Sequence, residues 1–212
     1  MAGPIERGIY LASRSPRRRE LLAQLGVPFH LLIFRTRPGS GPELSEEAKP
    51  HEAPREYVLR IAREKAQAGW ARMMQRRLPR APVLAADTTV ALEGRIFGKP
   101  ADRREAEEIL ATLSGKRHEV LTAVALMYEE RFETALSASE VQFRELSAQE
   151  IRDYAASGEC DDKAGAYGIQ GRAATFVREI RGSHSGIVGL PLYETAQLLA
   201  ALGPLHDRRN PD

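Results

Sequence analysis

Two long runs, residues 120–128 and 132–143, carry the alternating pattern of paired strands. A pair of that length needs a sheet around it and helices to cover what the sheet buries. The rest of the chain supplies both. Residues 8–12, 29–34, 83–86 and 175–180 read as further strands, and 90–92 with 95–97 flank a Glu93-Gly94 hairpin turn. Helical patterns cover residues 53–74, with Tyr57, Ile61 and Ala68 facing inward and Lys65 one turn beyond Ile61. Asp102 with Glu105 opens another helix, whose face is Ala106, Ile109, Leu110 and Leu113 and which Gly115 closes. Ser147 with Glu150 opens a helix through Ala156, and residues 192–202 form the last one. Strands alternating with helices predict an α/β fold with a mixed sheet. A chain of 212 residues suits one large domain or two small lobes.

The first helix is unusual. Ser15 is suited to the N-cap and Pro16 to the first helical position, while Leu21, Leu22 and Leu25 give an apolar face and Gly26 ends it. Around this start stand Arg14, Arg17, Arg18 and Arg19. Cations at the positive end of a helix cost about 0.3–1 kcal/mol each. A capping box would want Glu where the chain has Arg18. An anion is therefore missing, and free backbone N–H groups with arginines suit a phosphate.

That anion is local. The net charge is only +2 and aromatic residues make up 6%, so the chain lacks the cationic surface expected of a nucleic-acid binder. No apolar run approaches the roughly 20 residues that span a bilayer. Residues 1–8 lack the apolar core of a signal peptide, so the cytoplasm is the expected compartment. The single cysteine, Cys160, excludes an internal disulfide framework, and its acidic neighbours Glu159 and Asp161 disfavour a nucleophilic thiolate. His184 in a 182–189 loop reads as an exposed histidine.

Several residues could carry phosphate chemistry. Asp87 follows an apolar strand and is read as sitting at its end, where α/β folds place their sites, with Thr88 and Thr89 adding hydroxyls. Lys65 and Lys99 add cations. Residues 161–171, DDKAGAYGIQG, interleave small residues with Lys163, Tyr167 and Gln170, so a ligand could approach the backbone while polar groups read its edges. Cations beside carboxylates fit a polyphosphate with a divalent metal, and an aspartate could deprotonate a water there. Neither a P-loop nor a dinucleotide fingerprint is present. Residues 35–54, rich in Pro, Gly and charge, read as a long loop that could act as a lid.

These motifs resemble a known family. SRSPRR (residues 13–18), AADTTV (85–90), GKP (98–100), LSGKRHEVLTAV (113–124) and DKAGAYGIQG (162–171) are similar to those of the Maf nucleoside triphosphate pyrophosphatases. The resemblance implies a two-lobed mixed sheet flanked by helices with a deep central cleft, related to inosine-triphosphate pyrophosphatases. It implies one catalytic domain over residues 1–204 with a flexible tail at 205–212. It also implies cleavage between the α- and β-phosphates, a Mg²⁺ or Mn²⁺ cofactor and a homodimer. Carried over position by position, Asp87 matches the proton acceptor, and Lys65 and Lys99 match lysines at the phosphates and metal. Ser13, Arg17 and Arg18 match the phosphate site, and Arg17, Thr88 and Gln170 match positions of base selection. The family's Asp-Glu pair falls on Ser45-Glu46, so Glu46 joins Asp87 as a metal ligand, with Glu47 as the alternative.

The DKAGAYGIQG form is similar to members acting on dTTP and UTP. The Gln170 amide offers a donor and an acceptor to the imide edge of thymine or uracil, and modified pyrimidines would present the same edge. A housecleaning role follows by analogy. The alternatives are a 7-methyl-GTP pyrophosphatase and a nucleotide-binding regulator of septum formation without turnover.

Overall fold

A computed structural model of the chain describes residues 8–33 and 46–202. In chain order the elements are β1 (Ile9–Leu11), α1 (Pro16–Gln24), β2 (Phe29–Leu31), α2 (Pro54–Gln75), β3 (Val83–Leu92), β4 (Arg95–Phe97) and α3 (Arg103–Leu113). There follow β5 (Arg117–Tyr128), β6 (Arg131–Phe143), α4 (Ala148–Ala155), β7 (Val177–Arg181), α5 (His184–Val188) and α6 (Leu192–Ala201). Between α4 and β7 the chain makes two short 3₁₀ turns, Ala164–Ala166 and Arg172–Phe176.

The long hairpin forms as its sequence predicts. β5 and β6 pair from Arg117↔Gln142 to Tyr128↔Arg131 and anchor one mixed sheet, ordered β2-β1-β3-β5-β6-β7. β1 runs parallel to β2 and β3, while the other pairings are antiparallel. β4 folds back on the far end of β3 through Glu93 (φ 53°) and Gly94 (φ 79°), the two positive φ angles a tight two-residue hairpin turn needs.

One boundary differs in a way that matters. Residues 83–86 are not a short strand ending before Asp87, for β3 runs unbroken through Leu92. The β-branched Thr88, Thr89 and Val90 suit a strand, and β5 pairs with every residue from Val83 to Ala91. The loop expected over 182–189 contains α5, capped by the Ser183 hydroxyl accepting from Gly186 N–H. The strand expected at 175–180 begins two residues later, because Thr175 and Phe176 belong to a 3₁₀ turn. In α2 the buried small residues are Ala62, Ala66 and Gly69, while Ala68 is only half-buried. Part of the 35–54 loop, Phe34, Ser45 and the 205–212 tail lie outside the described residues.

The sheet's two faces are covered differently. On one face α2 packs against Val83 and Ala85 of β3 and Leu121, Ala123 and Ala125 of β5. The opposite face carries two clusters. Ile9, Leu11, Leu84, Ala86, Val124 and Leu126 meet Leu21 and Leu22 of α1 and Leu198 of α6. Val90, Val120, Val141 and Phe143 meet Ile109, Leu110 and Leu113 of α3 and Ile151 and Tyr154 of α4. Each Val, Leu, Ile or Phe among these contributes about 1.5–3 kcal/mol when fully buried. Between these two clusters runs a polar row, Thr88, Thr122 and Ser137, opposite one another across β3, β5 and β6.

The helix starts are capped largely as expected. Ser15 accepts from Arg18 N–H, and Ser147 with Glu150 forms a reciprocal capping box. Asp102 accepts from Glu105 N–H, but the Glu105 carboxylate reaches back to Ala101 N–H at 2.6 Å instead of to Asp102. Such caps are worth about 1 kcal/mol each.

His118, 2% exposed, is wedged between the rings of Phe143 and Tyr167 at centroid distances of 4.8 and 5.5 Å. Burial pushes its imidazole down to about 4 from 6.5, with a backbone contact at Lys116 offsetting part. The folded protein therefore binds fewer protons than the unfolded chain between those values. The stability tied to this group is complete above pH 6.5 and lost as pH falls toward 4, a loss of about 3 kcal/mol. We expect the melting temperature of the wild type to fall more steeply over that window than that of His118→Gln. Parallel slopes would remove His118 as the cause.

Candidate active site

β1 stops pairing with β3 at Leu84, and β4 begins pairing at Val90. Between them the edge of β3 facing away from β5 is open. The Leu84 carbonyl accepts from Ala12 N–H at 2.8 Å on this edge, so the alternation of the strand aims the backbone groups of Ala86 and Thr88 there as well. Among the described residues these groups have no backbone partner on that side.

Asp87 lies at this gap, 7% exposed, on the α2 face of the sheet. Lys65 reaches it from α2, its Nζ 2.7 Å from Asp87 Oδ1 and 2.8 Å from Glu46 Oε1. Lys99, on the turn after β4, lies 3.8 Å from Glu46 Oε2. Tyr57, two turns before Lys65 on α2, donates its hydroxyl to the Glu46 carbonyl at 2.9 Å. Burial would raise the Glu46 carboxyl, but Lys65, Lys99 and Arg18 outweigh it and hold it below its usual range. Burial pushes the Tyr57 phenol up to about 12, with the charges of Asp87 and Glu46 adding to the shift, so it stays a hydrogen-bond donor. Asp87 Oδ2 carries no hydrogen bond among the described residues.

The next residue faces the other way. Thr88 Oγ1 accepts from Arg18 Nη2 at 3.1 Å and shares a 2.9 Å hydrogen bond with Thr122 Oγ1. Thr122 in turn donates to the Gly186 carbonyl at 2.7 Å, while Arg18 Nε donates to the Gly189 carbonyl at 2.8 Å. One guanidinium thus ties α1 to β3 and to the C-terminal end of α5, while Thr122 holds the middle of that helix. Burial lowers the Arg18 guanidinium, and the Asp87 charge pulls it partly back.

Arg17 turns toward the 161–171 segment, with both terminal nitrogens 3.4 Å from Asp162 Oδ2. Part of the anion that the first helix calls for therefore comes from the chain itself. Burial would raise the Asp162 carboxyl, but Lys163 and Arg17 outweigh it and keep it low. Ser13 Oγ accepts from Ser15 N–H at 3.2 Å, fixing the turn into α1. Arg14 and Arg19 are exposed.

The glycine-punctuated segment is pinned against the same region. Gly165 N–H donates to the Gly98 carbonyl at 3.0 Å, beside Lys99. Gly165 has φ 71°, and a Cβ there would lie 2.6 Å from Val90 Cγ2, so only glycine fits. Gln170 is exposed, and no hydrogen bond joins it to the Asp87 cluster. The structure thus brings Asp87, Lys65, Glu46 and Lys99 together, places Arg18 and Thr88 across the strand, and ties Arg17 to the glycine segment. Glu47, the alternative to Glu46, gives its carbonyl to Arg60. Sequence reasoning missed the Tyr57 hydroxyl, Thr122 and the Gly189 carbonyl. Tyr57 fell on the expected helix face, but nothing local in the sequence points to the other two. His184 is exposed, and Cys160 is buried with its thiol pushed up by burial and Asp161.

The family model for Maf-like proteins matches residues 8–202. The chain belongs to the Maf family. A dTTP/UTP pyrophosphatase of Aromatoleum aromaticum is 57% identical over 201 residues, covering 94% of this chain and 98% of that protein. Proteins of the same description from Nitrosomonas europaea (52% identical, 96% and 98% covered) and Nitrosospira multiformis (55%, 92% and 94%) are similar to it.

In this Maf protein, Arg18 is held through Nε and Nη2 at once, a span a single ammonium cannot reproduce. We expect Arg18→Lys to lower kcat/KM for nucleotide by about 10–100-fold, corresponding to one or two lost charge-assisted hydrogen bonds. Steady-state kinetics beside a melting curve would check it, and an unchanged kcat/KM would show that the two contacts are dispensable.

Proposed function

We propose that this Maf protein hydrolyses dTTP and UTP to the nucleoside monophosphate and pyrophosphate. The observation that carries the reading is Lys65 bridging Glu46 and Asp87 at the open edge of β3, with Lys99 beside Glu46 and Arg18 bonded to Thr88 across the strand. Relatives named dTTP/UTP pyrophosphatase match nearly the whole chain and support the same substrates. Modified pyrimidine triphosphates share the imide edge, and removing them is the housecleaning role we assign.

In this reading Asp87 orients a water through Oδ2 and takes its proton as the oxygen attacks the α-phosphorus. The bond from the α-phosphorus to the bridging oxygen breaks, and pyrophosphate leaves. Lys65 holds Asp87 in position through Oδ1. Ser13, Arg17 and Arg18 hold the phosphates, and Lys99 meets the charge growing on the leaving group. Thr88, Arg17 and Gln170 select the base, Gln170 by a donor–acceptor pair to the imide edge.

The donor set fits a Mg²⁺ or Mn²⁺ ion. Two hard oxygen donors, the Glu46 and Asp87 carboxylates, meet at the Lys65 ammonium. That suits an ion completing its shell with phosphate oxygens and water. Glu46 and Asp87 would hold it, and when bound it would neutralise phosphate charge.

The polar row between two apolar clusters supports a division into two lobes around a cleft, and we assign a single domain to residues 1–204. Among the described residues no helix is long and apolar enough to cross a membrane, and the one thiol is buried and unpaired. We take the protein to be a cytoplasmic enzyme that acts as a homodimer on free nucleotides, without a nucleic-acid or membrane partner.

Pyrophosphate release from dTTP, UTP, CTP, GTP and 7-methyl-GTP with Mg²⁺ tests the assignment. We expect dTTP and UTP to be preferred and Asp87→Asn to slow release by about 10²–10⁴-fold while nucleotide still binds. Preference for 7-methyl-GTP would reject the base reading, and nucleotide binding without release would favour a regulator.

A further inference from the structure

The buried His118–Tyr167 pair is used by none of the steps above. His118 Nε2 and the Tyr167 hydroxyl share a 2.9 Å hydrogen bond. The two residues are 2% and 6% exposed. Phe143 closes the group, its ring 4.8 Å from each of the other two and packed edge-on. An imidazole and a phenol buried together cost free energy unless they satisfy each other. Apolar side chains of similar shape would pack here without that demand.

Its position shows what it holds. Tyr167 directly follows the Ala164–Ala166 turn, which is stapled to Gly98 beside Lys99. The next residue, Gly168, donates its N–H to the Tyr154 hydroxyl at 3.1 Å. Ile169 then packs into both clusters on that face of the sheet, and Gln170 emerges at the surface. Gln170 lies three residues beyond the Tyr167 anchor, on backbone whose course the His118 bond and the Tyr154 bond define. His118 itself belongs to β5, opposite Val141 of β6 and one residue before the stretch of β5 that pairs with β3.

We propose that His118 is a positioning residue for nucleobase selection, fixing Tyr167 and through it the backbone that presents Gln170. The inference rests on the proposed pyrimidine triphosphate reading and adds a residue to its selectivity. A hydrogen-bonding reader must be held within a fraction of an ångström to discriminate an imide edge from the amino-bearing edge of cytosine. Loosening the anchor costs selectivity more than turnover, because Asp87 and Lys65 stand on other elements.

The test measures equilibrium binding of non-hydrolysable UTP and CTP analogues, together with kcat and KM for UTP and CTP. Wild type is compared with Tyr167→Phe, His118→Phe and His118→Gln. Tyr167→Phe keeps the ring and the packing, so it remains informative if His118→Phe fails to fold. We expect Tyr167→Phe to shrink the UTP-over-CTP preference by about fivefold or more, mainly through KM. His118→Phe should match it, and His118→Gln, which can still bond the hydroxyl, should recover part of the preference. Folded variants that keep the wild-type ratio would overturn the inference, as would an equal fall in kcat for both nucleotides. Failure of the wild type itself to prefer UTP would overturn the underlying reading, a result visible in the wild-type data alone.

Discussion

The site depends on one property of an extended strand, the alternation of its side chains. Asp87 and Thr88 are neighbours in β3, so they point to opposite faces of the sheet. Asp87 meets Lys65 on the α2 side, and Thr88 meets Arg18 and Thr122 on the other. Charge chemistry and the Arg18 network are thus assembled on opposite sides of one backbone. The edge of β3 is open between β1 and β4, which leaves that backbone accessible at the junction.

Electrostatics then explains why the charges tolerate one another. Lys65 stands between two carboxylates, and its charge helps hold the Glu46 carboxyl below its usual range. Arg17 and Arg18, unfavourable at a helix start by themselves, are offset by Asp162 and by carbonyl and hydroxyl oxygens. A guanidinium has five N–H groups, and among the described residues Arg18 commits two nitrogens, Nε and Nη2, to protein oxygens. The arrangement is a preorganised cationic rim around a carboxylate pair, of the kind that favours a developing negative charge without reorganising.

Much of this was legible from residue order. The paired strands, the Ser15-Pro16 start, the capping residues and the Glu93-Gly94 turn are local signals, and they formed where they were expected. Asp87, Lys65, Lys99 and Glu46 were legible as candidate site residues because their motifs resemble a family, and the structure joins all four through ion pairs. The end assigned to β3 at Ala86 was wrong for a physical reason. A strand's local pattern cannot show that β5 continues to pair with it through Ala91. The short α5 was hidden because five residues, two of them small, carry little helical periodicity.

The sequence by itself determined most of the element types, the cationic helix start and the identity of the charged groups, because those follow from propensity, capping and side-chain chemistry within a few residues. Only the tertiary structure decided which groups meet. Tyr57 bonding Glu46, Thr122 linking Thr88 to Gly186, and His118 holding Tyr167 span 11 to 64 residues of chain. Contacts at such separations are set by register and packing, to which each residue's own neighbours in sequence are blind.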